Sequence, residues 1–236
     1  MYIILKKKKI INICIILVMI ISFSIHINNN ILETSGELIK YRKIIIDAGH
    51  GLPDGGAVSE SGIEEAYLNL QIASLLKQKL EENGYEVIMT RTTENNIADN
   101  DKQSSIKQIK TSDLNNRVKI ANESNADFMI SIHMNKYSES KYWGWQTFYS
   151  KNSEAGKKLA TLIQNSISKN IIERKNKRTP LSIDGIKIVD KTSIPVVIVE
   201  CGFLSNEDDL RLLQTEDYQE KIVKGILEGI EEFYKN

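Results

Sequence analysis

The sequence predicts an α/β protein. It should be a single three-layer domain with a central, twisted, mostly parallel sheet of about six strands and helices on both faces, preceded by an N-terminal transmembrane helix. Three observations lead there. Short apolar runs such as Ile44-Ile45-Ile46 lack the alternation of a half-exposed strand and suit strands buried on both faces. Between such runs lie segments with helical spacing, for example Leu68, Ile72, Leu75, Leu76 and Leu80. Ahead of both, Ile10 to Ile27 is a stretch of 18 mostly apolar residues behind the basic cluster Lys6 to Lys9.

The elements follow in order. Residues 1–9 read as a cytoplasmic basic segment and 10–27 as a signal-anchor, because lysines on the N-terminal side hold that end inside and direct the rest outward. A cleaved signal peptide is the weaker alternative, with Ser22-Phe23-Ser24 as its small-x-small match. Residues 28–40 form a polar linker, and 41–236 the folded domain. After the strand at Ile44, the glycines Gly49, Gly51, Gly55 and Gly56 with Pro53 mark a loop. A helix over Glu64 to Asn83 ends at Gly84, and Tyr85 to Met89 is a strand. Thr92 to Ser112 is polar and aperiodic and reads as a surface insertion. Asp113 caps a helix over Leu114 to Asn125. Asp127 to Ile132 and Trp145 to Tyr149 are strands, and Glu154 to Ile171 is a long helix. Ile186 to Val189 and Val196 to Val199 are two further strands. Ser205 or Asn206 caps a short helix, and Tyr218 to Tyr234 closes the chain.

Composition narrows the function. Lys+Arg 31 and Asp+Glu 31 cancel, which excludes a strongly basic nucleic-acid binder and an acidic disordered tail. Four lysines within residues 1–30 are unopposed, so the remainder carries 27 bases against 31 acids, a net of −4. Two cysteines exclude a disulfide scaffold. Cys14 is an apolar filler, and Cys201 should be a buried, inert thiol facing away from its neighbour Glu200.

The chemistry gathers at strand ends. His50 follows the strand at Ile44, His133 follows Asp127 to Ile132, and Glu200 follows Val196 to Val199. Ligands of open α/β sheets sit outside the carboxyl ends of the strands, so these three side chains share an edge. Glu64 or Glu65 opens the helix leaving the glycine loop and belongs near the same edge. Two imidazoles, two carboxylates and a water suit a catalytic zinc: three protein ligands, one open position and a separate acid/base. Either histidine alone could be an ordinary turn or half-buried residue. A carboxylate closing the run Val196 to Val199 is harder to explain structurally, because its burial is costly without a partner or a cation.

Four ordered segments then carry a resemblance. Ile46-Asp47-Ala48-Gly49-His50-Gly51, Glu65-x-x-x-Asn69-Leu70, Ser131-Ile132-His133-Met134-Asn135 and Val199-Glu200-Cys201-Gly202-Phe203-Leu204-Ser205-Asn206 closely resemble the zinc-dependent N-acetylmuramoyl-L-alanine amidases of the amidase_3 type. The resemblance spans about residues 42 to 234 and makes 41–236 an amidase catalytic domain. It implies zinc ligation by His50, Glu65 and His133, with Glu200 as catalytic acid/base acting on peptidoglycan. Periodicity does not separate Glu64 from Glu65; the spacing to Asn69 in the shared motif selects Glu65. Where relatives often carry Glu-Lys-Asp, this chain has Glu65-Ala66-Tyr67, so contacts around the ligand are expected to differ. Tyr142 to Tyr149 and the N-terminal apolar segment look like the spore germination-specific subgroup, whose members prepare cortex for muramic-δ-lactam formation. Amidases of this type can require an activating protein partner. The alternatives are a zinc carboxypeptidase or deacetylase on the same polymer, or a non-catalytic wall-binding or activator protein. Thr90-Arg91 also fits the family, with Arg91 expected to pair an internal acid, and Trp143 and Trp145 are candidates for sugar stacking or core.

Overall fold

The computed structural model describes residues 42–99 and 105–235. The expectations for the basic segment 1–9, the signal-anchor 10–27 and the linker 28–40 lie outside these residues. Among the described residues no helix is long and apolar enough to cross a membrane.

The chain runs β1 (Lys43–Ala48), α1 (Glu65–Glu82), β2 (Glu86–Met89), α2 (Ile106–Glu123), β3 (Phe128–Asn135) and β4 (Gln146–Ser150). It continues through α3 (Glu154–Asn170), β5 (Leu181–Ile183), α4 (Lys187–Lys191), β6 (Val196–Phe203), α5 (Glu207–Leu213) and α6 (Glu216–Lys235). The six strands form one sheet in the order β2-β1-β3-β6-β4-β5. All neighbours are parallel except β4 and β6, which are antiparallel. Alternate residues of each central strand feed two cores, which is why the strands read as unbroken apolar runs. On one face Ile44, Ile46, Ile130, Ile132, Val197 and Val199 pack under α1, α3 and α6. On the other, Ile45, Met129, Val196 and Ile198 meet Ala121 of α2 and Ile188 and Val189 of α4. The domain is therefore a single α/β sandwich of helices, sheet and helices.

Two segments differ from the sequence reading. Thr92 to Ser112 is not wholly an insertion: α2 begins at Ile106, capped by Ser105, whose side chain and that of Gln108 form a reciprocal capping box. Asp113 lies inside this helix rather than at its start. The buried stripe of α2 is Asp113, Arg117 and Ala121, spaced four apart. That face is inward but charged, so no apolar period announces it. Ile186 to Val189 is not a strand either. Ile188 and Val189 both enter the same core, which neighbouring residues of a strand cannot do because their side chains alternate. The chain makes the short helix α4 there, and the sixth strand is β5, five residues upstream. Asn206 rather than Ser205 caps α5, accepting from the Asp209 backbone N–H at 3.0 Å.

Candidate metal centre

His50, Glu65 and His133 come from β1's outgoing loop, the first turn of α1 and the end of β3, and each offers a donor atom within 4.8 Å of the others. The loop is pinned by two arginines. Arg91 donates from Nε to Ala48 O (2.8 Å) and from Nη2 to Gly49 O (2.9 Å) and Ala66 O (2.7 Å). Arg117 donates to Ala48 O (2.8 Å) and His50 O (2.5 Å). Arg91 thus binds backbone carbonyls rather than the internal acid expected for it. Held this way, His50 adopts φ 60°, a left-handed conformation that non-glycine residues rarely hold without such over-determination. Two glycines of this loop serve close approach. A Cβ on Gly49 would lie 2.3 Å from the His133 ring, and one on Gly56 would lie 2.6 Å from Glu65 Oε2.

Glu65 is the hub. Its Oε1 accepts from the Met134 backbone N–H (3.1 Å) and Asn69 Nδ2 (3.3 Å) and lies 2.8 Å from His133 Nδ1. Its Oε2 accepts from the Ala57 N–H (2.9 Å) and lies 3.3 Å from His50 Nε2. The opposite nitrogen of His50, Nδ1, lies 3.0 Å from Asp54 Oδ2, and Lys110 Nζ of α2 grips the other Asp54 oxygen at 2.8 Å. Burial alone would raise the Glu65 carboxyl, but the two histidines outweigh it and hold it well below the usual carboxylate range. Burial would lower His50, yet Glu65 and Asp54 push it up to about 9.

Glu200 stands beside this group. It is the register partner of His133 across β3 and β6, so both side chains leave the same face of the sheet. Its Oε2 is buried with no hydrogen-bond partner among the described residues. Burial drives its carboxyl up to about 7; His133 and His50 oppose that shift and Glu65 adds to it. The histidines and Glu200 line one cavity of about 340 Å³, whose apolar lining comes from Ile183, Ile186, Ile188 and Ile198. Cys201 lies in the core on the opposite face. Trp145 is fully buried and donates to Ser168 Oγ at 3.3 Å, whereas Trp143 is partly exposed under Arg174.

The donor set fits a zinc ion. Zinc at 2.0–2.2 Å from its ligands separates them by about 3.3 Å, so the 4.8 Å spread closes with side-chain shifts of about an ångström. A neighbouring buried carboxylate oxygen with no donor is what a cation or a proton-carrying ligand would satisfy. All four side chains singled out in the sequence meet here, joined by residues that were not singled out: Asp54, Lys110, Asp47 and Arg117. Asp47 carried a readable signal, since it is a carboxylate inside an apolar strand, as Glu200 is. Its Oδ1 accepts from Arg117 Nη1 (2.5 Å) and Thr90 Oγ1 (2.7 Å), and its Oδ2 from Ser131 Oγ (2.6 Å).

A sequence profile of the Amidase_3 family, N-acetylmuramoyl-L-alanine amidase, matches residues 44–232. The germination-specific N-acetylmuramoyl-L-alanine amidase of Bacillus subtilis (strain 168) is 36% identical over 193 residues, covering 81% of this chain and 79% of that protein. The solved CwlD amidase of Clostridioides difficile, in complex with the GerS lipoprotein, superposes with a TM-score of 0.80 at 37% identity, covering 82% of this chain and 98% of that one. An N-acetylmuramoyl-L-alanine amidase from Clostridium difficile 630 superposes with a TM-score of 0.71 at 27% identity, over 82% of this chain and 97% of that one. By the span of these matches, the chain belongs to the Amidase_3 family and is a hydrolase, an N-acetylmuramoyl-L-alanine amidase.

Proposed function

We propose that this chain is a zinc amidase of spore-cortex peptidoglycan, with His50, Glu65 and His133 as zinc ligands and Glu200 as the catalytic acid/base. The observation that carries the reading is the meeting of those three donors beside a buried, unbonded carboxylate oxygen. A bound zinc supplies a Lewis acid for the scissile carbonyl and brings the pKa of water to about 7. The chain's own residues do the rest. Asp54 fixes the His50 ring through Nδ1 and leaves Nε2 facing Glu65, while Asn69 and the Met134 amide set the Glu65 carboxylate. Glu200 takes the proton of the attacking water and returns it to the departing amine as the bond between the lactyl carbonyl and the alanine nitrogen breaks. Burial raises the Glu200 carboxyl and a bound dication would lower it, and the two opposed effects suit a group that must both take and return a proton.

The 36% identity to a germination-specific relative supports the cortex as substrate, and the resemblance to the germination-specific subgroup implies that stem-peptide removal here prepares muramic-δ-lactam formation. The lysine-flanked apolar run supports residues 10–27 as a membrane anchor, 28–40 as a tether and 41–236 as the catalytic domain on the extracytoplasmic side. The CwlD relative was solved with a lipoprotein, which supports an activating partner here. Muropeptide analysis of wall digested by the full chain, with and without a chelator, tests the activity. Free stem peptide that vanishes on chelation is expected. Release of D-amino acid or acetate would replace this reading with a carboxypeptidase or deacetylase.

A further inference from the structure

We infer that Arg178 recognises a carboxylate on the second or third residue of the peptide the enzyme releases; this deepens the amidase reading and rests on it. Among the described residues Arg178 is a fixed cation without a counter-ion. Its Nε donates to Trp143 O (3.1 Å) and its Nη1 to Gln146 Oε1 (3.1 Å). Its guanidinium lies 4.6 Å from the Phe203 ring centre and 5.9 Å from that of Tyr142. Among the described residues no carboxylate lies within ion-pair distance of it, although Arg117, Arg174 and Arg211 each have one. Nη2 makes no hydrogen bond there, so one edge of the fork stays open.

The position of that edge names the ligand. Gln146 is the register partner of Glu200 across β4 and β6, so the order on this face is His133, Glu200, Gln146 and then Arg178. Register partners stand about 5 Å apart, and adding the glutamine side chain and its hydrogen bond puts the guanidinium on the order of 10 Å from Glu200. A peptide advances at most about 3.3–3.6 Å per residue, so an anion reaching Arg178 sits two to three residues beyond the scissile amide. The surroundings have the same sign. Arg178 borders a shallow depression of about 370 Å³ shared with Lys175 and Lys177, neither of which has an acidic partner among the described residues, and with Trp143. A planar fork held by aromatic rings and two acceptors is preorganised for a carboxylate.

Pairs of muramyl tripeptides, differing only in whether the carboxylate of the second or third residue is free or amidated, test this with the zinc-loaded full chain. The expected result is a kcat/KM about tenfold or more higher for one free-carboxylate substrate, expressed in KM, the factor of a charge-assisted hydrogen bond. Arg178→Gln should bring the ratio toward one, and Arg178→Lys, which keeps the charge, should retain part of it. A wild type indifferent to amidation overturns the assignment. So does an Arg178→Gln variant that loses activity equally on both members of the pair, the mark of a structural role. Binding of the free tripeptide to the wild type and to Arg178→Gln, by calorimetry, reads recognition without turnover. If no substrate is cleaved, the turnover arm reports only that the isolated chain is inactive without its activating partner, and a tenfold loss of peptide affinity in Arg178→Gln, or its absence, still decides for Arg178.

Discussion

Glu200 Oε2 meets no donor in its buried position, so replacing the carboxylate with an amide breaks no bond within the protein. Glu200→Gln keeps the shape and removes the ability to accept a proton. It should bind zinc like the wild type while kcat falls by about 10²–10⁴, the usual worth of a positioned acid/base. Metal content near one per chain with hydrolysis intact would remove Glu200 from the reaction. Asp54 acts one step further out. It accepts from His50 Nδ1 and is itself held by Lys110, so Asp54→Ala frees the ring to rotate. Zinc affinity should weaken about 10- to 100-fold, as for other partners of ligating histidines, when read by competition with a chromophoric chelator. Neither Asp54 nor Lys110 stood out in the sequence. A carboxylate in a glycine loop looks like a turn former, and its partner lies 56 positions away in a stretch that reads from the sequence as a surface insertion.

At the scale of elements, α2 shows what carries the site and why it was hard to read. Its inward stripe places Arg117 against Asp47 of β1, Asp113 of its own preceding turn and the carbonyls of Ala48 and His50. Burial alone would raise Asp47, but the Arg117 charge, with help from Ser131, His133 and Thr90, holds its carboxyl below the usual range. Arg117→Met would leave that carboxylate buried and unpaired, a loss of about 3–5 kcal/mol. Melting should fall by on the order of 10 °C in a domain of this size, followed by circular dichroism at pH 7. A change of under 2 °C would mean the pair is structurally idle. The helices with apolar stripes, α1, α3 and α6, and the strands of the sheet's centre were legible because burial writes a period into them. The start of α2, the turn of α4 and the edge strand β5 were not. The stripe of α2 is ionic, α4 is five residues long, and β5 exposes Leu181 and Ser182 at the sheet's margin.

For the molecule as a whole, protons and zinc compete for one set of side chains, and the direction follows from the shifts. His50 is raised from 6.5 to about 9, so its contribution to the metal-free fold is complete below pH 6.5 and is lost as pH rises through 9. Glu200 is raised from 4.5 to about 7, so its proton also favours the metal-free fold at low pH, and this is lost as pH rises through 7. Glu65 and Asp47 are lowered; their contributions are present above their ordinary values near 4 and are lost as pH falls below that. The chelated protein should therefore be most stable at about pH 4–6 and weaken steadily toward pH 9. Zinc must displace the His50 proton to bind Nε2, so its affinity should climb about tenfold per pH unit up to 9. Because a ligand stabilises the fold in proportion to the logarithm of its concentration over Kd, the gap in Tm between zinc-loaded and chelated protein should widen as pH rises from 6 to 9. Calorimetric zinc titrations in two buffers of different ionisation enthalpy would count the released protons directly. An affinity flat between pH 6 and 9, with no proton release, would mean that His50 holds no proton for the metal to displace in that range.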